Sequence, residues 1–352
     1  IPSPSPTPTP APEPPRTATI AFTGDIIPHR PVMAAAAAMA DSGWDFRPMF
    51  AAVRPVLADA DLALCHLETP ISADDSDLGT YPMFNAPRAL AAAIADAGYE
   101  GCSTASNHSF DRRADGVRAT IDAFESQGLQ QAGMARSAEH DLEPVLYDAN
   151  GITVGHIAAT YWLNGFELPD DQPWLVDLIE PDEILREARL ARAAGAEFVV
   201  VSLHWGNQYQ HEPTPDQERW ATELLPSPEV DLLVGHHAHV VQPVDRMAGE
   251  WVVFGLGNFL SNQFAECCGV GTQDGMVATV TLREDEPGSI TVAGVDVVPT
   301  WVDRAGGYVI RPATAGEDLP DLATALADAA ARTRAVVGSR VGPDDGLTFA
   351  GP

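Results

Sequence analysis

The sequence has no lysine. Its 20 basic residues are all arginine, against 50 acidic ones, for a formal charge of −30 over 352 residues. A chain so poor in positive charge is not built for sequence-independent nucleic-acid binding, which depends on neutralising phosphates. Nor does it offer a polybasic face to an anionic membrane. Any anionic substrate must be held by local devices: metal ions, a few arginines or helix N-termini. Long apolar runs are missing too. None approaches the roughly 20 residues of a spanning helix, so no transmembrane segment is expected. Four cysteines are too few for a disulfide scaffold at this length. Cys65 and Cys102 sit inside apolar runs and read as buried thiols, whereas Cys267 and Cys268 are adjacent in a Gly-rich segment.

What is present is a folding composition. Hydrophobic residues make up 45% of the chain, which excludes a disordered acidic polymer and supplies a large core. Residues 1–16, IPSPSPTPTPAPEPPR, alternate Pro with Ser and Thr, a pattern of extended polyproline-like chain. They read as a flexible tail or as a stalk. With Ile1 rather than Met at the start, the expectation is an extracytoplasmic stalk, secreted or anchored at the cell surface. From Thr17 onward, short β-branched runs at 17–25, 62–68, 99–108, 152–160, 198–205, 231–239 and 251–259 read as buried strands. Helical patterns lie between several of them, at 87–98, 116–128, 181–195 and 216–225. The alternation predicts an α/β layered fold. Runs 277–284 and 289–302 read as an antiparallel edge pair, and 321–337 as a C-terminal helix. No repeat or second linker appears, so one domain is expected over 17–340, followed by a tail at 341–352.

Polar residues recur where the apolar runs end: Asp25, Glu68, Asn107-His108, His204, and His237 with His239. Ligands of open α/β sheets bind outside the carboxyl ends of the strands, so residues far apart in sequence can meet at one rim. A strand puts positions i and i+2 on one side, which would aim His237 and His239 at a common centre. One histidine at a strand end is more often structural, but five such ends together point to a metal site. Carboxylate, amide and imidazole donors suit Zn, Mn or Fe better than Mg or Ca.

The order FTGD (22–25), HLE (66–68), SNH (106–108) with DG at 115–116, SLHWG (202–206), GHHAHVVQPV (235–244) and GLGNF (255–259) resembles the CapA family. These are poly-γ-glutamate capsule biosynthesis proteins, a branch of the calcineurin-like metallophosphoesterase superfamily. The resemblance extends over roughly residues 18–300. It implies a four-layer α/β/β/α sandwich holding one or two divalent ions at the strand ends. By position, Asp25, Glu68, Asn107, His204, His237 and His239 look like the ligands, with Glu68 bridging. Asp25 and His108 look like the catalytic pair, His108 as the acid that protonates the leaving group. Arg112, Trp205, Tyr209 and Asn258 are the expected substrate contacts, with Arg113 and Trp162 nearby. His29, His236 and Gln208 are placed behind the ligands. His236 in particular is expected to point to the other face of its strand.

The chain departs from the family pattern in several places. It reads HLE, SNH and HAH where relatives usually read NLE, NNH and HPH. Ile27 stands where phosphoesterases carry a histidine ligand, and Gln208 where the family has Glu. Two ions about 3.5–4 Å apart polarise a phosphoryl or acyl oxygen. The implied function is therefore a metal-dependent hydrolase or transferase acting on a phosphoester or glutamyl amide in a cell-surface polymer. Its partners would be an anionic polymer or a peptide or phosphoester substrate, with membrane synthases as companions. A non-catalytic polymer-binding module of a synthesis or export complex is the rival reading. Metal-assisted proton abstraction from a peptide is a third.

Overall fold

The computed structural model describes residues 15–314, 316 and 318–350. The stalk reading thus lies outside the described residues except for its last two. Of these, Arg16 is tied to Glu197 at 2.7 Å and to Glu284 at 2.8 Å.

Among the described residues, fifteen strands form two sheets. They are β1 (Thr17–Ile26), β2 (Leu62–Leu67), β3 (Gly101–Ser103), β4 (Gln130–Ala132), β5 (Val145–Ala149), β6 (Ile152–Thr160), β7 (Phe198–His204) and β8 (Leu232–His236). The rest are β9 (Val244–Met247), β10 (Glu250–Val253), β11 (Asn258–Leu260), β12 (Asp274–Glu286), β13 (Ser289–Asp303), β14 (Val309–Pro312) and β15 (Leu347–Phe349). The first sheet runs β14-β13-β12-β1-β2-β3-β4, with β11 beside β1 and β15 beside β13. The second runs β5-β6-β7-β8-β10-β9.

The apolar runs are continuous because these strands are buried on both faces. Period-two alternation divides each run between two cores. In β2, Leu62 and Leu64 face the second sheet, while Ala63, Cys65 and Leu67 face a layer of helices that includes Arg30–Met39 and Ala89–Ala97. In β7, Phe198 and Val200 face the first sheet, while Val199, Val201 and Leu203 face the helices Pro181–Ala193 and Pro215–Leu224. The layers are therefore α/β/β/α, as the motif order implied.

Three sequence expectations need correction. The run 251–259 is not one strand: β10 lies in the second sheet and β11 in the first, and Phe254–Gly257 crosses between them. The crossing needs glycine, since a Cβ on Gly24 would strike Gly257 O and one on Gly235 would strike Phe254 O. The expected tail contains β15, which pairs parallel with β13. Cys65 and Cys102 are buried as expected but are joined as a disulfide, because the register of β2 and β3 places them opposite each other; Cys267 and Cys268 are likewise joined.

Candidate metal centre

Register assembles the site. Across the first sheet, Asn258, Asp25, His66 and Ser103 are successive partners on β11, β1, β2 and β3. Across the second, Thr160, His204 and His236 are partners on β6, β7 and β8. Toward the carboxyl ends, the face between the sheets thus changes from apolar to polar. Leu62 and Leu64 give way to His66, Phe198 and Val200 to Ser202 and His204, and Leu232 and Val234 to His236.

The six expected ligands converge, and all are buried. His239 Nδ1 lies 3.1 Å from Asp25 Oδ2, and its Nε2 lies 3.6 Å from Glu68 Oε1. His204 Nε2 lies 2.9 Å from Asn107 Oδ1. The His237 amide donates to Asp25 Oδ2 at 3.2 Å, and its ring Nε2 lies 3.0 Å from Tyr161 Oη. Glu68, His237 and His239 each bring a ligand atom within 4.8 Å of the others, as do Asp25, His66 and His236.

The reason for convergence differs from the strand argument. β8 stops at His236, and the chain then turns through left-handed backbone at His237 (φ 85°) and His239 (φ 56°). Such conformations cost about 1–3 kcal/mol each and persist only where surrounding structure holds them. His236, expected on the far face, follows Leu232 and Val234 inward along β8 and so belongs to the centre, its Nδ1 3.5 Å from Asp25 Oδ1, while the turn after it brings His237 and His239 to the same place.

The electrostatics fit a cation. Both Glu68 oxygens are buried without a hydrogen-bond partner, as are His236 Nδ1 and His237 Nδ1. A buried carboxylate with nothing to bind is costly. Burial pushes the Glu68 carboxyl up to about 7, against the pull of His239. Burial also raises the Asp25 carboxyl, but the neighbouring His236 and His239 rings reverse this and hold it well below its usual value. Burial would lower the His239 ring, yet Glu68 and Asp25 raise it to about 9. Burial pushes the His237 ring down to about 3. Carboxylate, amide and imidazole donors brought together in this way are the set that suits a Zn, Mn or Fe ion.

His108 opens onto a cleft of about 580 Å³ shared with Tyr81, Asn107, Trp162, Gln208 and His237. An adjoining space of about 280 Å³ brings in His29, Tyr209 and His239. Tyr81, Trp162 and Tyr209 stand well into solvent around it. The other expected contacts lie elsewhere. Trp205 is fully buried in the outer core, where its indole donates to Phe254 O at 2.9 Å, because it follows the last inward position of β7. Asn258 is buried behind the centre, accepting from His239 Nδ1 at 3.1 Å. Arg112 turns under the 79–83 loop toward Met83 O and Asp77, and Arg113 lies on Phe166 at 3.5 Å. His29 contacts Ile27 O through Nδ1 at 3.0 Å, and burial pushes its ring down to about 4. It lies at the cleft and outside both ligand groups.

Sequence reasoning missed His66 and Asp111. Period-two alternation in LALCHLE puts His66 on the same face as Leu62 and Leu64, a signal available from the run itself. Asp111 Oδ2 accepts from His108 Nδ1 at 2.8 Å and from the Phe84 amide at 2.7 Å. This orients the ring so that Nε2 is its free nitrogen. The i, i+3 spacing from His108 was the available sign.

A second group of acids, half-buried, lies away from this centre, between β6 and the helix Pro181–Ala193. Asp141, Asp177, Glu187 and His156 line a cavity of about 60 Å³ there. Arg186 lies 3.5 Å from Asp141 and 3.7 Å from Glu187.

The model of the bacterial capsule synthesis protein family PGA_cap matches residues 19–263. The capsule biosynthesis protein CapA of Bacillus anthracis is 28% identical over 281 residues, covering 77% of this chain and 64% of that protein. The PGA biosynthesis protein CapA of Bacillus subtilis (strain 168) is 25% identical over 255 residues, covering 71% and 65%. The chain thus spans slightly under two thirds of the length of these relatives. Among solved structures, Haemophilus influenzae NAD nucleotidase is similar with a TM-score of 0.51 and 10% identity, over 95% of this chain and 64% of that one. The likeness is one of fold: the α/β/β/α sandwich of the metallophosphoesterase type.

Proposed function

Since the chain belongs to the bacterial capsule synthesis protein family, we propose that it is a metal-dependent hydrolase or transferase of cell-surface polymer metabolism. Its substrate would be a phosphoester or glutamyl amide of a poly-γ-glutamate-type polymer, met outside the membrane. Among the described residues, no helix is long and apolar enough to cross a membrane. The observation that carries the reading is Glu68, fully buried with both oxygens unpaired and facing His239. Asp25, Glu68, Asn107, His204, His237 and His239 would hold one or two ions, with His236 beside Asp25. When bound, a divalent cation supplies Lewis-acid polarisation of a phosphoryl or acyl oxygen and lowers the pKa of water.

The chain's own residues do the rest. Asp111 presents His108 to the cleft with Nε2 outward, so a proton held there can pass to the leaving group. Tyr81, Trp162 and Tyr209 wall the cleft and offer flat faces to a bound chain. No arginine lines either part of it, so carboxylates or phosphates would be held by the ions and the neighbouring amides.

The test is metal content by elemental mass spectrometry on untagged protein. It is paired with assays on a generic phosphodiester and a chromogenic γ-glutamyl amide in Mn²⁺ or Zn²⁺. One to two ions per chain with turnover of either substrate is the expected result. Ions without turnover would favour a polymer-binding module, and no ion after supplementation would overturn the metal-centre reading.

A further inference from the structure

A line of hydrogen bonds runs from β3 through the inter-sheet layer to the candidate centre. Ser103 Oγ lies 2.8 Å from His66 Nδ1, His66 Nε2 lies 2.9 Å from His204 Nδ1, and His204 Nε2 lies 2.9 Å from Asn107 Oδ1. All four side chains are buried. Two ring nitrogens at 2.9 Å hold one proton between them. With one proton on each ring, the line has two polarities. In the first, Ser103 donates to His66 Nδ1, His66 Nε2–H donates to His204, and His204 Nε2–H donates to Asn107 Oδ1.

In the second polarity, His204 Nδ1–H donates to His66 Nε2 and His66 Nδ1–H donates to Ser103 Oγ. The serine hydroxyl then turns to Cys65 O, 3.4 Å away. That leaves the His204 Nε2 lone pair facing Asn107 Oδ1. The amide cannot escape by flipping at no cost, because Asn107 Nδ2 donates to Asn164 Oδ1 at 3.1 Å. Two acceptors at 2.9 Å repel each other unless a cation lies against both. Only the second polarity lets His204 serve as a ligand through Nε2.

We propose that His66 is a positioning residue for the centre: it accepts the His204 Nδ1 proton and so commits His204 to its ligating tautomer, and the polarity of the Ser103–His66–His204 line reverses between cation-free and cation-bound protein. Both polarities carry the same three protons, so the reversal releases none. The inference rests on the metal-centre reading. It adds a role for a histidine that lies outside the expected ligand set.

The test uses the full chain labelled with ¹⁵N-histidine. Long-range ¹H–¹⁵N spectra read which nitrogen of His66 and His204 is protonated, before and after Zn²⁺. Zn²⁺ dissociation constants are measured in parallel by chelator competition for the wild type, His66→Phe and His66→Gln. Zinc is expected to move the His66 proton from Nε2 to Nδ1. His66→Phe should weaken zinc binding by about 10- to 100-fold, the usual effect of losing a partner behind a ligand. His66→Gln, whose Oε1 can accept from His204 Nδ1–H, should recover most of that loss. Zinc bound with the His66 proton still on Nε2, or equal affinities for His66→Phe and the wild type, would overturn the inference and leave the metal centre standing. Failure of the wild type to bind zinc would remove the metal centre and the inference together. Should His66→Phe not fold, the wild-type spectra decide alone.

Discussion

Carboxylates gather at two places in this molecule, one fully buried and one partly so, and the two resolve the cost differently. At the rim between the sheets, Asp25 and Glu68 lie among His66, His204, His236, His237 and His239. In the cavity beside the helix Pro181–Ala193, Asp141, Asp177 and Glu187 share a single arginine, Arg186, which also pairs with Glu183 at 2.6 Å. Burial and mutual repulsion raise all three of those acids, Asp177 well above its ordinary value and Glu187 to about 8. The second group has its carboxyls pushed toward the neutral form. The first has imidazole nitrogens converging on two carboxylates, of which Glu68 has no hydrogen-bond partner at either oxygen. Acids gathered together do not by themselves make a metal-like constellation; imidazoles aimed at the same point set the first group apart.

The same carboxylate-to-amide change should therefore give opposite results at the two places. Glu68→Gln is expected to weaken metal binding by at least about 100-fold, more than loss of a partner behind a ligand; Glu187→Gln should leave metal content untouched. Elemental analysis of both variants decides, and metal loss in Glu187→Gln would collapse the distinction. His108→Ala should retain its ions and lose about 10²- to 10⁴-fold in turnover. Asp111→Asn should lose less, measured as kcat on whichever substrate the wild type turns over.

The acid cavity carries its own pH signature. A carboxyl raised on folding contributes stability that is complete below its unfolded pKa and is lost as pH rises through the folded value. For Glu187 that window runs from about 4.5 to about 8. Glu187→Gln should thus raise stability near pH 8 by roughly 1–2 kcal/mol, allowing for its partial exposure, and flatten the pH dependence of Tm. A Tm profile unchanged by the substitution would count against the cavity as a proton store. The smallest effect is expected for Arg112→Gln: with the guanidinium turned toward Asp77 and Met83 O, KM should stay within about twofold and stability within about 0.5 kcal/mol.

How much of this was legible in the sequence depends on the range of the interaction concerned. Layering and most strands could be read, because burial on both faces writes itself as unbroken apolar runs. The six proposed ligands could be picked out because each sits at or just past the end of such a run. The alternation that carries Leu232 and Val234 inward also carries His236; what could not be read is the left-handed turn at His237 and His239, which no glycine announces and which brings those two rings to the same centre. Trp205 and Asn258 were misplaced because a motif names a position and not a direction. One faces the outer core and the other supports a ligand from behind. Ser103 has no meaning until β2 and β3 pair and bring it opposite His66.

The crossing of Phe254–Gly257 from one sheet to the other has a mechanical consequence. Leu256 donates to Gly235 O of the second sheet and accepts from the Met276 amide of the first, at 3.2 and 3.1 Å. Gly257 O accepts from the Asp25 amide at 2.9 Å, within the ligand set itself. The two rows of donors are jaws bolted to one short strap. Spreading them would tear several backbone bonds at once, so the strap holds the two rows at one spacing and leaves freedom to move to the rim carrying Tyr81, Trp162 and Tyr209.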